Sequence, residues 1–124
     1  MARLRRSVLV ATPLVLAGLT LSSCGVGGAV ADARTSCRFV AVALRLEHQS
    51  LEPTLTTRAR TRLQDRALAT LLRATPSAAA ATSADGSWNA LMTTVNEAER
   101  VPIAQLVPSL TRLCAIANSS TPYL

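Results

Sequence analysis

The stretch PIAQLVPSLTRLCAIAN, residues 102–118, has the clearest structural pattern in the chain. At 100° per residue its apolar side chains fall within about 120° of one helix face, which predicts an amphipathic helix packed on a core. That face consists of Ile103, Leu106, Val107, Leu110, Leu113, Cys114 and Ala117. Pro102 suits the first turn of a helix, and Pro108 lies outside the apolar face, so a kink there leaves the face intact.

Cysteine usage ties this helix to an earlier one. Of the three cysteines, Cys24 belongs to the N-terminal segment described below, which leaves Cys37 and Cys114 as a pair. We expect them to form a disulfide in an oxidising compartment, with two free thiols as the alternative. Two cysteines without a histidine cluster do not favour a metal site, and none is predicted.

Periodicity predicts three further helices before this one. The first covers about residues 35–49 and is nearly buried all round, with Cys37, Val40, Ala41, Leu44 and His48 on one side. The second covers about residues 54–74, and the third covers about residues 87–100, with Trp88 in the core and Asp85 or Ser87 as the N-cap. Residues 75–87, TPSAAAATSADGS, have the low complexity of a loose linker, with extension of a helix through the alanine run as the alternative.

These patterns predict an all-α fold, a small up-down four-helix bundle tied by one disulfide after a cleaved N-terminal signal. Cys37 opens the first helix and Cys114 closes the fourth, and up-down order brings those two ends together. The expected organisation is a signal peptide over residues 1–23, a lipidated flexible tether over 24–36, the bundle over 37–118 and a C-terminal tail over 119–124.

The N-terminus has the layout of an export signal. Three arginines at positions 3, 5 and 6 precede an uncharged apolar run from Val8 to Leu21. A helix of that length reaches about 21 Å, which is short of a bilayer core of about 30 Å. We therefore expect the segment to be removed rather than to span a membrane.

The residues Leu21-Ser22-Ser23-Cys24 follow directly on this run. The sequence resembles the lipobox of bacterial lipoproteins, in which the cysteine receives a diacylglyceryl group and becomes the mature N-terminus. The resemblance implies lipidation of Cys24 and a domain held on the extracytoplasmic face of the cell membrane, since two acyl chains suffice for stable attachment. The alternative is a plain secretory signal cut after Ala31, which would release a secreted protein.

Composition limits the function classes. All thirteen basic residues are arginine and alanine is abundant, which is typical of a GC-rich genome such as that of an actinobacterium. Loss of the signal leaves ten arginines against seven carboxylates, and only Phe39, Trp88 and Tyr123 are aromatic. This modest charge and scarcity of stacking side chains disfavour nucleic-acid binding. One histidine and no nucleophile elbow or phosphate loop argue against an enzyme.

The best exposed feature is a basic ridge on the second helix, formed by Arg58, Arg62, Arg66 and Arg73, with Asp65 as its one local partner. A solvated helix face is the simplest interpretation. Guanidinium groups also bind phosphate through paired hydrogen bonds, so the ridge is a candidate contact for anionic lipid or another envelope component. The remaining carboxylates, Glu47 among them, are expected mostly on outer faces.

Two functions follow from these features. The first is a membrane-anchored, non-enzymatic interaction module of the cell envelope, whose partner is anionic lipid or an envelope protein and which needs no cofactor. The second is a carrier of a small apolar ligand such as haem or an acyl chain, because the layout is loosely similar to that of the small disulfide-tied haem carriers of mycobacteria. For haem, the chain offers only His48, Tyr123 and Met92 as axial ligands.

Overall fold

The computed structural model describes residues 26–122, which form five α-helices and one short 3₁₀-helix. They are α1 (Val26–Ser50), α2 (Thr57–Leu72), α3 (Thr75–Ala84), the 3₁₀-helix Gly86–Trp88, α4 (Asn89–Glu97) and α5 (Ile103–Asn118). No strand occurs within these residues, so the all-α prediction is confirmed. The predicted signal peptide and Cys24 lie outside the described residues.

Helix α1 starts much earlier than the sequence pattern indicated. It spans 25 residues, and Ala29, Ala33 and Ser36 on it are fully buried. The prediction of a flexible tether extending to residue 36 is therefore wrong from Val26 onward. The glycines are confined to the beginning of the segment, and the alanines that follow have the highest helix propensity of any residue and pack into the core.

The buried side of α1 follows a regular repeat of four and three residues. Its members are Ala29, Ala33, Ser36, Val40, Ala43, Glu47 and Ser50, each less than 9% exposed. This spacing keeps one stripe facing the neighbouring helices along the whole length of α1. Because most members are small, the neighbouring helices can approach closely, and we call this stripe the α1 seam.

Helices α2 and α3 follow one another along α1 and both pack on it. Between them Arg73 and Ala74 keep right-handed helical angles, and the amides of both residues bond carbonyls three residues back. Pro76 then removes one donor and crowds the carbonyl four residues earlier, which separates α3 from α2. The predicted linker over residues 75–87 is wrong, because Ala78 and Ala81 are fully buried in α3.

The last two helices complete the core. Trp88 is 1% exposed, as predicted for a core residue, and the Asp85 carboxylate caps the turn before it by accepting from the Ser87 amide at 3.0 Å. Helix α5 packs on α1 and α4. Its predicted apolar face is confirmed, with Ile103, Leu106, Leu110, Leu113 and Ala117 buried, and the helix continues through the exposed Pro108.

Candidate functional site

The predicted basic ridge lies on α2, which begins at a side-chain cap. The Thr56 hydroxyl accepts a hydrogen bond from the Ala59 amide at 3.2 Å, which satisfies one of the free donors at the helix start. Ala67 and Leu71 face the core. Opposite them Arg58, Arg62 and Arg66 are all exposed to solvent.

Arg73 differs from the other three ridge residues. It is the C-cap of α2, and its guanidinium carbon lies 5.3 Å from the centroid of the Phe39 ring on α1. A cation over an aromatic face is stabilised by about 0.5 to 1 kcal/mol at an exposed site. Arg73 therefore helps to hold α2 against α1, while the other three arginines are free to contact a ligand.

The ridge is not neutralised by a neighbouring carboxylate. Among residues 26–122 the one ion pair joins Arg100 to Glu97, far from the ridge in sequence. The predicted pairing with Asp65 does not form, and Asp65 instead faces a groove described below. Three guanidinium groups on consecutive turns of α2 thus remain available to phosphate-bearing ligands.

The Cys37–Cys114 disulfide is present, as predicted. The Cα atoms lie 5.4 Å apart, and the bridge joins α1 to the C-terminal half of α5. Beside it the Arg34 side chain donates from Nε to the Ala117 carbonyl at 2.8 Å and from Nη2 to the Ser119 carbonyl at 3.1 Å. These contacts fix the end of α5 against α1 and satisfy carbonyls that a helix end leaves free.

The prediction that His48 lies on a core face is wrong, whereas its predicted position near the end of the helix is confirmed. His48 and Ala41 are exposed, because the α1 seam turns the buried side of the helix away from them. His48 lines a shallow, mostly apolar groove between α1 and α5, about 350 Å³ in volume, with Leu44, Leu51, Val107 and the acidic residue Glu47. A second groove of about 270 Å³ between the same helices shares Leu44 and runs on toward the disulfide. Of the other predicted haem ligands, Met92 is half-buried and Tyr123 lies outside the described residues.

Sequence reasoning missed Glu47. This residue was expected on an outer face with most other carboxylates, but it is only 6% exposed. Its burial follows from its position in the repeat of the α1 seam, one turn beyond Ala43 and one turn before Ser50. The spacing of small residues from Ala29 onward was the signal that could have revealed it, but a glutamate and two serines hide the stripe from any search for apolar residues.

A third groove opens beside Glu47, where α1 and α2 meet the connection between α4 and α5. Its volume is about 390 Å³. The lining residues are Glu47, Gln64, Asp65, Leu68, Ala98, Val101, Pro102 and Ile103. Polar acceptors from α1 and α2 thus face an apolar wall from the connection, and we call this site the acidic groove.

Within the described part of the chain, no three His, Cys, Asp or Glu side chains are grouped so that they could hold a metal ion. No helix over residues 26–122 combines the length and apolar character needed to cross a membrane. The arrangement therefore offers a row of free guanidinium groups, two apolar grooves and one acidic groove as candidate binding features. Comparison with protein-family models, curated proteins and solved structures finds no match to this chain.

Proposed function

We propose that this chain is a membrane-anchored lipoprotein of the cell envelope and acts as a non-enzymatic interaction module. In this proposal the signal is removed before Cys24, and a diacylglyceryl group on Cys24 holds the protein on the extracytoplasmic face of the membrane. The helices of the bundle alternate in direction, in up-down order. The observation that carries the proposal is the start of α1 at Val26.

The start of α1 favours removal of the signal before Cys24. A cut at that point leaves all of α1 intact, whereas a cut after Ala31 removes Ala29 and Val30, which are 0% and 7% exposed in the core. Loss of these two side chains would forfeit roughly 2 to 4 kcal/mol of apolar burial. A secreted form that begins at Asp32 would therefore be a weakened domain, which supports the lipoprotein proposal over its rival.

The same start leaves almost no tether. Only Gly25 separates Cys24 from α1, and two residues reach about 7 Å at most. A lipid on Cys24 would hold the first turn of α1 at the headgroups. The bundle would then lie beside the bilayer rather than range freely above it.

Charge favours one orientation of the anchored bundle. Residues 26–73 contain eight arginines and four carboxylates, whereas residues 74–122 contain two arginines and three carboxylates. Helix α1 is about 37 Å long, and Arg73 lies against Phe39, about 20 Å along it. If α1 stood upright on the membrane, the ridge would lie much farther from the lipid headgroups than about 8 Å, the distance over which salt screens the attraction between charges. We propose that the bundle lies flat, with the outer sides of α1 and α2 on anionic lipid.

Membrane contact is tested by co-sedimentation of residues 25–124 with vesicles that contain phosphatidylglycerol. Arg62→Glu with Arg66→Glu should weaken binding by at least 30-fold, since each arginine near an anionic surface contributes about 1 kcal/mol. The matched control is Arg100→Glu with Arg112→Glu, which makes the same charge change away from α1 and α2 and should bind like the parent. Equal loss in both variants, or no loss in the first, would remove the ridge from the proposal.

The anchor is tested by intact-mass analysis of the protein in the membrane fraction. The proposal predicts a chain that begins at Cys24 and bears a diacylglyceryl group, and release from the membrane when Cys24→Ser is introduced. Detection of a polypeptide that begins at Asp32 and carries no lipid would refute the anchor and favour the secreted alternative.

A carrier of an apolar ligand is a second candidate function, favoured by two neighbouring grooves between α1 and α5 that share Leu44. Their lining is mostly aliphatic, which suits an acyl chain, and each volume lies near the lower limit of about 300 Å³ for small-molecule pockets. Titration with a fluorescent fatty acid tests this candidate, and Leu44→Glu should abolish binding because Leu44 lines both grooves. Titration with haem, followed by its absorption, tests the other ligand, and His48→Ala should remove any shift.

A further inference from the structure

Glu47 is a buried acid without a partner. It is only 6% exposed, and no hydrogen bond or ion pair within residues 26–122 reaches its carboxylate. Its polar neighbours bind the main chain instead. The Ser50 hydroxyl donates to the Glu47 carbonyl at 2.7 Å, and Arg60 Nε donates to the Ser50 carbonyl at 3.1 Å.

A buried carboxylate in this state costs free energy unless something outside the chain binds it. Among the side chains of residues 26–122 only the Ser36 hydroxyl is both closed to solvent and without a hydrogen-bond partner, so the Glu47 carboxylate opens into a groove and not into the apolar core. With 6% of the residue exposed, the carboxylate still loses most of the hydration that a charge needs. Glu47 occupies a position of the α1 seam that an alanine or leucine would fill without that cost. Its presence there points to a ligand that supplies the missing positive charge.

The acidic groove defines the chemistry of that ligand. Glu47 and Asp65 provide two carboxylates and Gln64 provides an amide, while no arginine lines the groove. Metal ions generally require more ligands than two carboxylates, and no group of three ligating side chains exists within the described residues. The opposite wall is aliphatic, which suits the methylene stem of a long cationic side chain.

We propose that the acidic groove binds an alkylguanidinium or alkylammonium group, the chemistry of an arginine or lysine side chain. The carboxylates of Glu47 and Asp65 accept hydrogen bonds from the cation, and Leu68, Val101 and Ile103 cover its aliphatic stem. Its volume of about 390 Å³ suffices for one such group. This inference does not depend on the lipid anchor.

Calorimetric titration tests the proposal on the full chain, purified in neutral detergent with its disulfide formed. The first probe is agmatine, which carries a guanidinium and an ammonium at the two ends of a four-carbon stem, and pentanol is the neutral control. We expect saturable binding of agmatine and none of pentanol. Glu47→Gln, which keeps the size of the side chain but removes its charge, should weaken agmatine binding at least tenfold. Glu52→Gln, the same change at an exposed residue outside the groove, should leave it unchanged.

A second variant protects the test against a folding defect. Asp65 is exposed, so Asp65→Asn removes a groove carboxylate without disturbing the core, and it should also weaken binding at least threefold. The melting temperature of each variant shows that it is folded. Absence of agmatine binding, or equal binding by the parent and Glu47→Gln, would overturn the proposal.

A third titration identifies the source of the cation. The probe is a five-residue peptide, acetylated and amidated, with a central arginine flanked by glycines. Binding of the peptide at least tenfold tighter than agmatine assigns the groove to a polypeptide partner, whereas equal or weaker binding assigns it to a small free cation. Both assignments also require that Glu47→Gln lowers the affinity for whichever of the two ligands binds more tightly.

Discussion

Replacing Ala78 with leucine should destabilise the protein, because Ala78 is fully buried where α3 joins the core. Leucine adds three heavy atoms at a position that is closed to solvent, and such overpacking typically costs about 1 to 3 kcal/mol. For a domain of this size, a loss of about 2 kcal/mol corresponds to a fall of roughly 8 to 16 °C in melting temperature. Urea unfolding followed by circular dichroism measures the change in the free energy of unfolding.

The matched control is Ala80→Leu, the same substitution two residues along the same helix at an exposed position. Alanine and leucine have similar helix propensities, so this variant should stay within about 0.5 kcal/mol of the parent. Ala80→Pro tests the helix itself and should cost about 3 kcal/mol, because proline removes a helix hydrogen bond and clashes with the preceding turn. A loose linker would tolerate all three changes, so indistinguishable leucine variants or a harmless Ala80→Pro would refute our description of α3.

Two further changes test the seam and the bridge. Cys37→Ala with Cys114→Ala should lower the free energy of unfolding by up to about 4.5 kcal/mol, the loop entropy of a separation of 77 residues. Cys24→Ser is the control and should leave the urea midpoint unchanged. Equal midpoints for the parent, the double variant and Cys24→Ser would contradict a stabilising bridge. Ser36→Ala should stabilise the protein by up to about 1 kcal/mol because the buried Ser36 hydroxyl has no hydrogen-bond partner within the described residues. Ser50→Ala should instead cost about 1 kcal/mol because the Ser50 hydroxyl donates to a carbonyl 2.7 Å away, and effects of the same sign would refute this distinction.

The sequence predicted best where one helix face is made of large apolar residues. Helix α5 has such a face, and its buried residues matched the periodic pattern. The disulfide followed from counting cysteines, and Trp88 is in the core as expected. In these cases the side chains that drive burial are also the ones that a periodicity search detects.

The failures in placing the helices involve small residues. Ala29 and Ala33 in the supposed tether, and Ala78 and Ala81 in the supposed linker, are fully buried. Alanine gives little hydrophobic contrast, and nearby glycine, serine and proline are the residues of loops as well. Whether such a segment is helical depends on whether another face of small residues packs against it, and that is decided by the tertiary structure and not by the local sequence. The α1 seam provides that face for α3, and the two segments were misjudged together.

The two candidate sites also differ in how far the sequence could predict them. The ridge could be predicted because exposure of Arg58, Arg62 and Arg66 follows from one helix period, and the structure leaves them exposed. The acidic groove could not, because it combines Glu47 from α1 with Asp65 from α2 and a wall from the connection between α4 and α5. No local pattern in the sequence brings these three segments together.

The positions of the ridge and the acidic groove explain how one small bundle could bind both anionic lipid and an organic cation. At 100° per residue, Gln64 and Leu68 in the acidic groove lie roughly 160° around α2 from Arg66 on the ridge, whereas Asp65 lies about 60° from Arg62. A bundle that rests its ridge on anionic lipid therefore turns Gln64 and Leu68 away from the bilayer and leaves Asp65 at the edge of the contact. Salt should weaken both interactions, but Glu47→Gln should weaken only the binding of the cation and Arg62→Glu with Arg66→Glu only the binding of the membrane.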